Sequence, residues 1–118
     1  LVHNIGEFTA NIPRISELEL VKVCGTKSGR DVNKFSDLGI TPVACPPLES
    51  APMIDECSLV LGCKVKHELE LGTHCVFIAE VVSIHCDPDR ARPSGRPSPN
   101  PEDQVVYLDG NYWNLSRI

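Results

Sequence analysis

The longest regular pattern in the chain runs from Leu59 to Leu69. Leu59, Leu61, Cys63, Val65, His67 and Leu69 alternate there with Val60, Gly62, Lys64, Lys66 and Glu68. A period of two predicts a half-buried β-strand. Glu70-Leu71-Gly72-Thr73 carries a hairpin turn signal. The stretch from His74 to Cys86 then reads as a second long strand, apolar on both faces, as a central strand would be. The two halves predict an antiparallel hairpin at the heart of a sheet.

Upstream of the hairpin the periods are shorter. Glu7 to Ile12 alternates and stops at Pro13, which predicts a strand entering a turn. Ser16 is placed to cap a helix from Glu17 through Cys24, with Gly25 just past its end. A second short helix is expected from Asp31 to Leu38, stopped by Gly39. Ile40 to Val43 reads as extended, and Pro52 reads as the first position of one helical turn ending near Cys57. Downstream, residues 87–103 are rich in proline, serine and arginine and nearly free of apolar side chains, so a mobile surface loop is expected. Val105 to Leu108 is a last short strand, turned by Asp109-Gly110 into Asn111 to Leu115. The whole predicts one domain, 1–118, of mainly β, α+β class.

The 118 residues suffice for a hydrophobic core. A formal charge of −5, with basic residues spread along the chain, argues against nucleic acid as a partner. No apolar run reaches the roughly 20 residues that cross a bilayer, and no signal-peptide pattern opens the chain. Six cysteines could build a disulfide framework. Cys63, Cys75 and Cys86 instead lie in or at the ends of apolar runs, where a thiol acts as a small buried hydrophobe, so reduced thiols and a cytoplasmic location are expected. Leu1-Val2-His3-Asn4 reads as the end of a helix, and the chain as a fragment of a longer one.

The segment with the most chemical content is Cys24-Gly25-Thr26-Lys27-Ser28-Gly29-Arg30-Asp31-Val32-Asn33-Lys34-Phe35. Glycines and a serine before a helix offer backbone N–H groups and a positive dipole end to an anion such as a phosphate. Lys34, one helical turn past Arg30, can add a charge, and Ser28 can cap the helix or donate to a ligand. A plain connection between helices, capped by Gly25 and Ser28, explains the same residues. The pairs His74-Cys75 and His85-Cys86 point to opposite faces of a strand, which argues against a shared metal ion. Asp55-Glu56 reads as a solvated helix face, and Tyr112 and Trp113 as core closure rather than a stacking platform.

The matching pieces fall in one order along the chain. They are Gly6-Glu7-Phe8-Thr9-Ala10-Asn11-Ile12-Pro13, the segment from Cys24 to Phe35, Gly39-Ile40-Thr41-Pro42, and Ala51-Pro52-Met53-Ile54 with Glu56-Cys57. Leu61-Gly62-Cys63-Lys64-Val65, Leu71-Gly72-Thr73-His74, Phe77-Ile78-Ala79-Glu80-Val81 and Tyr107-Leu108-Asp109-Gly110-Asn111-Tyr112 follow. This series resembles the flavin reductase-like family, the FMN-binding split barrels that include flavoredoxins and NAD(P)H:flavin oxidoreductases. The resemblance implies a β-barrel that forms a homodimer and holds FMN noncovalently near the subunit interface. It also implies that NAD(P)H delivers hydride to the flavin, which passes electrons to a redox partner or a small-molecule acceptor. The flavin then does the chemistry and no catalytic side chain is needed. Position by position, Ser28, Gly29, Asp31 and Lys34 fall in the family's flavin-contacting loop, Asn11 matches its strand-end asparagine, and Phe35 its following aromatic. About a third of the family's domain precedes the residue matching Leu1, so the resemblance implies the C-terminal two-thirds of a barrel with open strand edges. Two rivals are an FMN-binding electron-transfer module without reductase activity and a cofactor-free dimerising barrel fragment.

Overall fold

A computed structural model describes residues 1–28, 33–98, 100 and 103–118. Helix α1, Val2–Ile5, ends where Gly6 takes up left-handed backbone (φ 74°) and returns its N–H to the Val2 carbonyl. Strand β1, Glu7–Ile12, follows, then a 3-10 turn, Ile15–Glu17, and helix α2, Leu18–Thr26. Helix α3 spans Lys34–Leu38 and stops at Gly39, as expected. Short strands β2, Pro42–Val43, and β3, Met53–Ile54, lead into the two long strands β4, Leu59–Leu71, and β5, His74–Cys86. A 3-10 turn, Pro88–Arg90, and the small hairpin of β6, Val106–Leu108, and β7, Asn111–Trp113, complete the described chain.

The central sheet has the order β1-β4-β5, all antiparallel, while β2-β3 and β6-β7 form separate two-stranded sheets, so the strands close no barrel. The hairpin turn falls at Gly72, as the sequence predicts. The order of strands differs from expectation: β4 lies at the centre and β5 at an edge. The apolar residues on both faces of β5 are therefore not all covered, and Val76, Ile78, Val81 and Ile84 stand exposed. The single apolar face expected for β4 is also broken. Gly62 pairs with Ser83 and Cys63 with Val81, which leaves Val82 as an extra residue on β5, while the β1–β4 register runs unbroken through the same point. Val60 and Cys63, of opposite parity and so on opposite faces of β4, are both buried, so β4 is covered on both sides there. A second irregularity follows between Val65 and His67.

Among the described residues the buried apolar side chains are small: Cys45, Cys57, Val60 and Cys63. The expected burial of Cys75 is corrected, because that thiol is exposed and donates to Glu68 Oε1 at 3.1 Å. Trp113, expected in the core, is 56% exposed, because β6 and β7 pair only with each other. Within 87–103, Arg90 is buried and donates to Ser58 Oγ at 3.1 Å, while Arg14 pairs with Asp89 at 2.6 Å and Asp103 at 3.4 Å. No helix among the described residues is long and apolar enough to cross a membrane.

Candidate functional site

Strand β1 and helix α2 make the two sides of a cleft of about 240 Å³, with Asn11, Leu20, Val21, Cys24, Ile54 and Cys57 among its walls. The helix begins one residue later than its capping signals suggest. Glu17, not Ser16, closes the preceding turn, by accepting the Arg14 backbone N–H at 2.7 Å. It also runs through Gly25, the residue expected just past its end. Three carbonyls of its last turns are taken: Lys22 by Thr26 Oγ1 at 2.8 Å, Val23 by the Lys27 N–H at 3.0 Å, and Cys24 by Lys34 Nζ at 2.9 Å. A cation on the terminal carbonyls also suits the negative end of the helix dipole.

Lys34 is therefore fixed by α2 as well as by α3. Its part-buried ammonium bridges the two ends of the loop that separates them. An ammonium has three donors, and the Cys24 carbonyl engages one of them. The N-terminus of α3 is differently arranged from the sequence expectation. Asn33, not Ser28, is its cap, with Oδ1 accepting the Phe35 and Ser36 N–H groups at 3.2 Å each. Asp37 Oδ2 accepts the Asn33 N–H in return, at 2.9 Å. Asn33 thus occupies backbone donors that an anion would have used, and among the described residues Lys34 is the cation tied to both helices.

Asn11 is a hinge pin between strands. Its Oδ1 accepts the Ile54 N–H at 2.8 Å and its Nδ2 donates to Thr9 Oγ1 at 2.9 Å, while Thr9 Oγ1 donates to the Pro52 carbonyl at 2.7 Å. These bonds draw residues 52–54 out as β3 against the end of β1, where the sequence reading expected a helical turn. Glu56, expected on a solvated helix face, accepts the N–H and Oγ1 of Thr41, at 3.0 and 2.9 Å, and these bonds hold its carboxyl below the ordinary range. Cys57, at the end of the same turn, is buried. Burial pushes its thiol up to about 11, with smaller repulsions from Glu17, Glu56 and Cys24.

The structure thus places Asn11 on the cleft and ties Lys34 to its wall through Cys24. Phe35 lies half-buried in the first turn of α3, and Ser28 is exposed just beyond α2. Gly29 and Asp31 lie outside the described residues. Sequence reasoning missed Ile54 and Cys57 as cleft residues, because a two-residue strand leaves no periodic signal. Among the described residues no group of three or more His, Cys, Asp or Glu side chains is arranged to hold a metal ion.

The comparisons agree on one family. The flavin reductase like domain matches residues 1–116. An uncharacterized protein of Archaeoglobus fulgidus is 35% identical over 100 residues, which cover 85% of this chain and 55% of that protein. The chain spans about half the length of the curated relatives it matches. Flavoredoxin of Desulfovibrio vulgaris (Miyazaki F) superposes with a TM-score of 0.86 at 28% identity, over 99% of this chain and 63% of its own. A flavoredoxin from Methanosarcina acetivorans gives 0.83 at 27%, over 99% and 62%. With its strand order, its cleft and this match over nearly every residue, the chain belongs to the flavin reductase-like family of split-barrel proteins.

Proposed function

We propose that this chain carries the phosphate-gripping side of an FMN site in a cytoplasmic, homodimeric oxidoreductase, which passes electrons from NAD(P)H through the flavin to an acceptor. The observation that carries the reading is the position of Lys34. Its ammonium is held on the Cys24 carbonyl at the wall of the cleft, with donors left over for an anion. The residues present fit part of the cofactor: a fixed cation for the phosphate, and apolar side chains of α2 and β3 for one side of a planar ring. Ligand pockets usually enclose about 300–1,000 Å³, so the cleft of about 240 Å³ takes one portion of a flavin rather than all of it.

When bound, the flavin would supply the hydride and electron chemistry, and the protein would supply binding and orientation. Lys34 would neutralise phosphate charge, Ser28 would add a hydroxyl beside it, and Asn11 would hold the β1–β3 wall. The names of the two flavoredoxins support this assignment for the present chain.

The test is titration with FMN and with riboflavin, which lacks the phosphate, followed by flavin fluorescence. A charge-assisted hydrogen bond contributes about 1.5–3 kcal/mol. Lys34→Glu should therefore weaken FMN roughly 10- to 100-fold more than riboflavin. Equal loss for both ligands would remove Lys34 from the phosphate site, and no binding of either by the unmodified chain would sink the reading. If FMN binds, anaerobic bleaching by NADH or NADPH identifies the donor, and persistent colour identifies a carrier without reductase activity.

A further inference from the structure

Cys24 and Cys57 both line this cleft, as free thiols on two different elements. Cys24 is half-buried on the last turn of α2, and Cys57 is 7% exposed in the turn after β3. The walls between them are mostly apolar: Pro13, Leu20, Val21 and Ile54 line the same cleft. We propose that Cys24 and Cys57 are a redox-active dithiol that closes to an intramolecular disulfide across this cleft, with a low-molecular-weight disulfide as its oxidant.

The exposures assign the roles. Thiol exchange requires an accessible attacking sulfur, and of the two only Cys24 is reachable from solvent. Its thiolate attacks one sulfur of the small disulfide, forming a mixed disulfide and releasing one small thiol. Cys57 gives up its proton and attacks the Cys24 sulfur, forming the internal bond and releasing the second small thiol. Two protein thiols are oxidised, one small disulfide is reduced to two thiols, and the two protons leave with those thiols. The buried Cys57 acts second because burial disfavours its thiolate until the mixed disulfide is beside it.

Closure asks for Cα atoms about 4.4–6.8 Å apart, and α2, tied at this end by the Lys34 bond to the Cys24 carbonyl rather than by buried side chains, is the element that can shift, carrying Lys34 with it. No residue of α2 is fully buried, so the helix end can settle toward the β3 turn without emptying a core site. The competing partner for Cys57 is Cys86, which shares a smaller cavity of about 160 Å³ with it. Cys86 is held in the β4–β5 ladder opposite Leu59 and has no such freedom. Cys45 is 1% exposed and packed under Gly62 and Ser83, out of reach of a solution oxidant. Closure at Cys24 would also fix the carbonyl that Lys34 holds, linking the thiol state to the candidate anion loop.

The experiment uses the whole chain in buffers of graded reduced-to-oxidised glutathione, quenched in acid, alkylated, and digested without reduction by trypsin and Glu-C. Cys24 then lies in peptide 23–27 and Cys57 in peptide 57–64. The expected product is these two peptides joined, lighter by two hydrogens than the reduced pair. Fragment ions should place the bond on Cys57 rather than Cys63, with a yield independent of protein concentration. In Cys57→Ser, Cys24 should instead be trapped as the glutathione mixed disulfide at ratios that cross-link the unmodified chain. A bond to Cys63 or Cys86, a yield that rises with protein concentration, no cross-link at the most oxidising ratio, or an unmodified Cys24 in Cys57→Ser would each overturn the proposal. None of these outcomes depends on whether the chain binds flavin.

Discussion

Gly62 is the position where one added methyl group should cost most. It pairs with Ser83 across the β4–β5 ladder, beside the register shift at Val82 and next to the buried Cys63. A Cβ built on Gly62 meets Ser83 Oγ at 2.3 Å and Cys45 Sγ at 3.2 Å. The first distance forces a move, and the cheapest is rotation of the Ser83 hydroxyl. That rotation gives up its contact with His85 Nε2, now 3.1 Å away, and a neutral hydrogen bond contributes about 1 kcal/mol. Cys45 is 1% exposed, so its sulfur has little room to retreat, and overpacking of this kind costs about 1–3 kcal/mol. Relief of glycine's unfolded-state entropy returns about 0.5–1 kcal/mol. Gly62→Ala should therefore destabilise the chain by about 1–3 kcal/mol, read from the midpoint of equilibrium urea unfolding. Ser83→Ala removes the closer obstacle, so the double variant should recover about 1 kcal/mol relative to additivity. A Gly62→Ala variant within about 0.5 kcal/mol of the unmodified chain, or strict additivity with Ser83→Ala, would refute the packing argument.

Two other perturbations separate scaffold from site. Asn11→Ala leaves the Ile54 N–H without its acceptor and should cost about 1–3 kcal/mol in urea, with faster amide exchange at Ile54 than in β5; unchanged exchange there would mean that β3 is held by something else. Glu7→Gln tests a pH dependence with a definite sign. The buried Glu7 carboxylate accepts the N–H groups of Ser50, Ala51 and Glu49, which hold its carboxyl below the ordinary value of 4.5. A depressed folded value means that the stabilisation is complete above 4.5 and is lost as pH falls through the lower folded value. The gap between unmodified chain and variant should narrow on acidification, and a gap constant with pH would count against the carboxylate's role.

The parts of the fold legible in the sequence are those with local causes. Strand β1, the turn at Gly72 and the stop of α3 at Gly39 each follow from a period or from a residue suited to left-handed backbone. The misreadings have non-local causes. Pro52-Met53-Ile54 looks like a helix start, but side chains some 43 residues upstream, Thr9 and Asn11, claim its carbonyl and N–H groups. Gly25 looks like a stop, yet α2 passes through it because Thr26 bonds back to Lys22. Two apolar faces on β5 read as a central strand, since composition records what a strand can bury rather than which neighbours it has. For the candidate site, the sequence marked the cationic loop through its ordered resemblance, and it marked Asn11 and Lys34. It could not show that Lys34 turns back to the end of α2, because that depends on how two helices meet.

A common feature links the scaffold to the chemistry proposed for it. Among the described residues the buried apolar side chains are three cysteines and a valine, too small to fix the loops around the cleft by packing alone. Those loops are instead held by single polar side chains: Glu7 grips residues 49–51, Asn11 grips Ile54, Glu56 grips Thr41, and Lys34 grips the end of α2. Each pin ties a short irregular segment to a regular one, and each is a directional bond rather than a broad apolar contact. A cleft built this way ties its cation to the end of α2 through one directional bond while leaving α2 without a buried anchor. That combination lets a bond between Cys24 and Cys57 form by movement of one helix end, with the β1-β4-β5 sheet undisturbed.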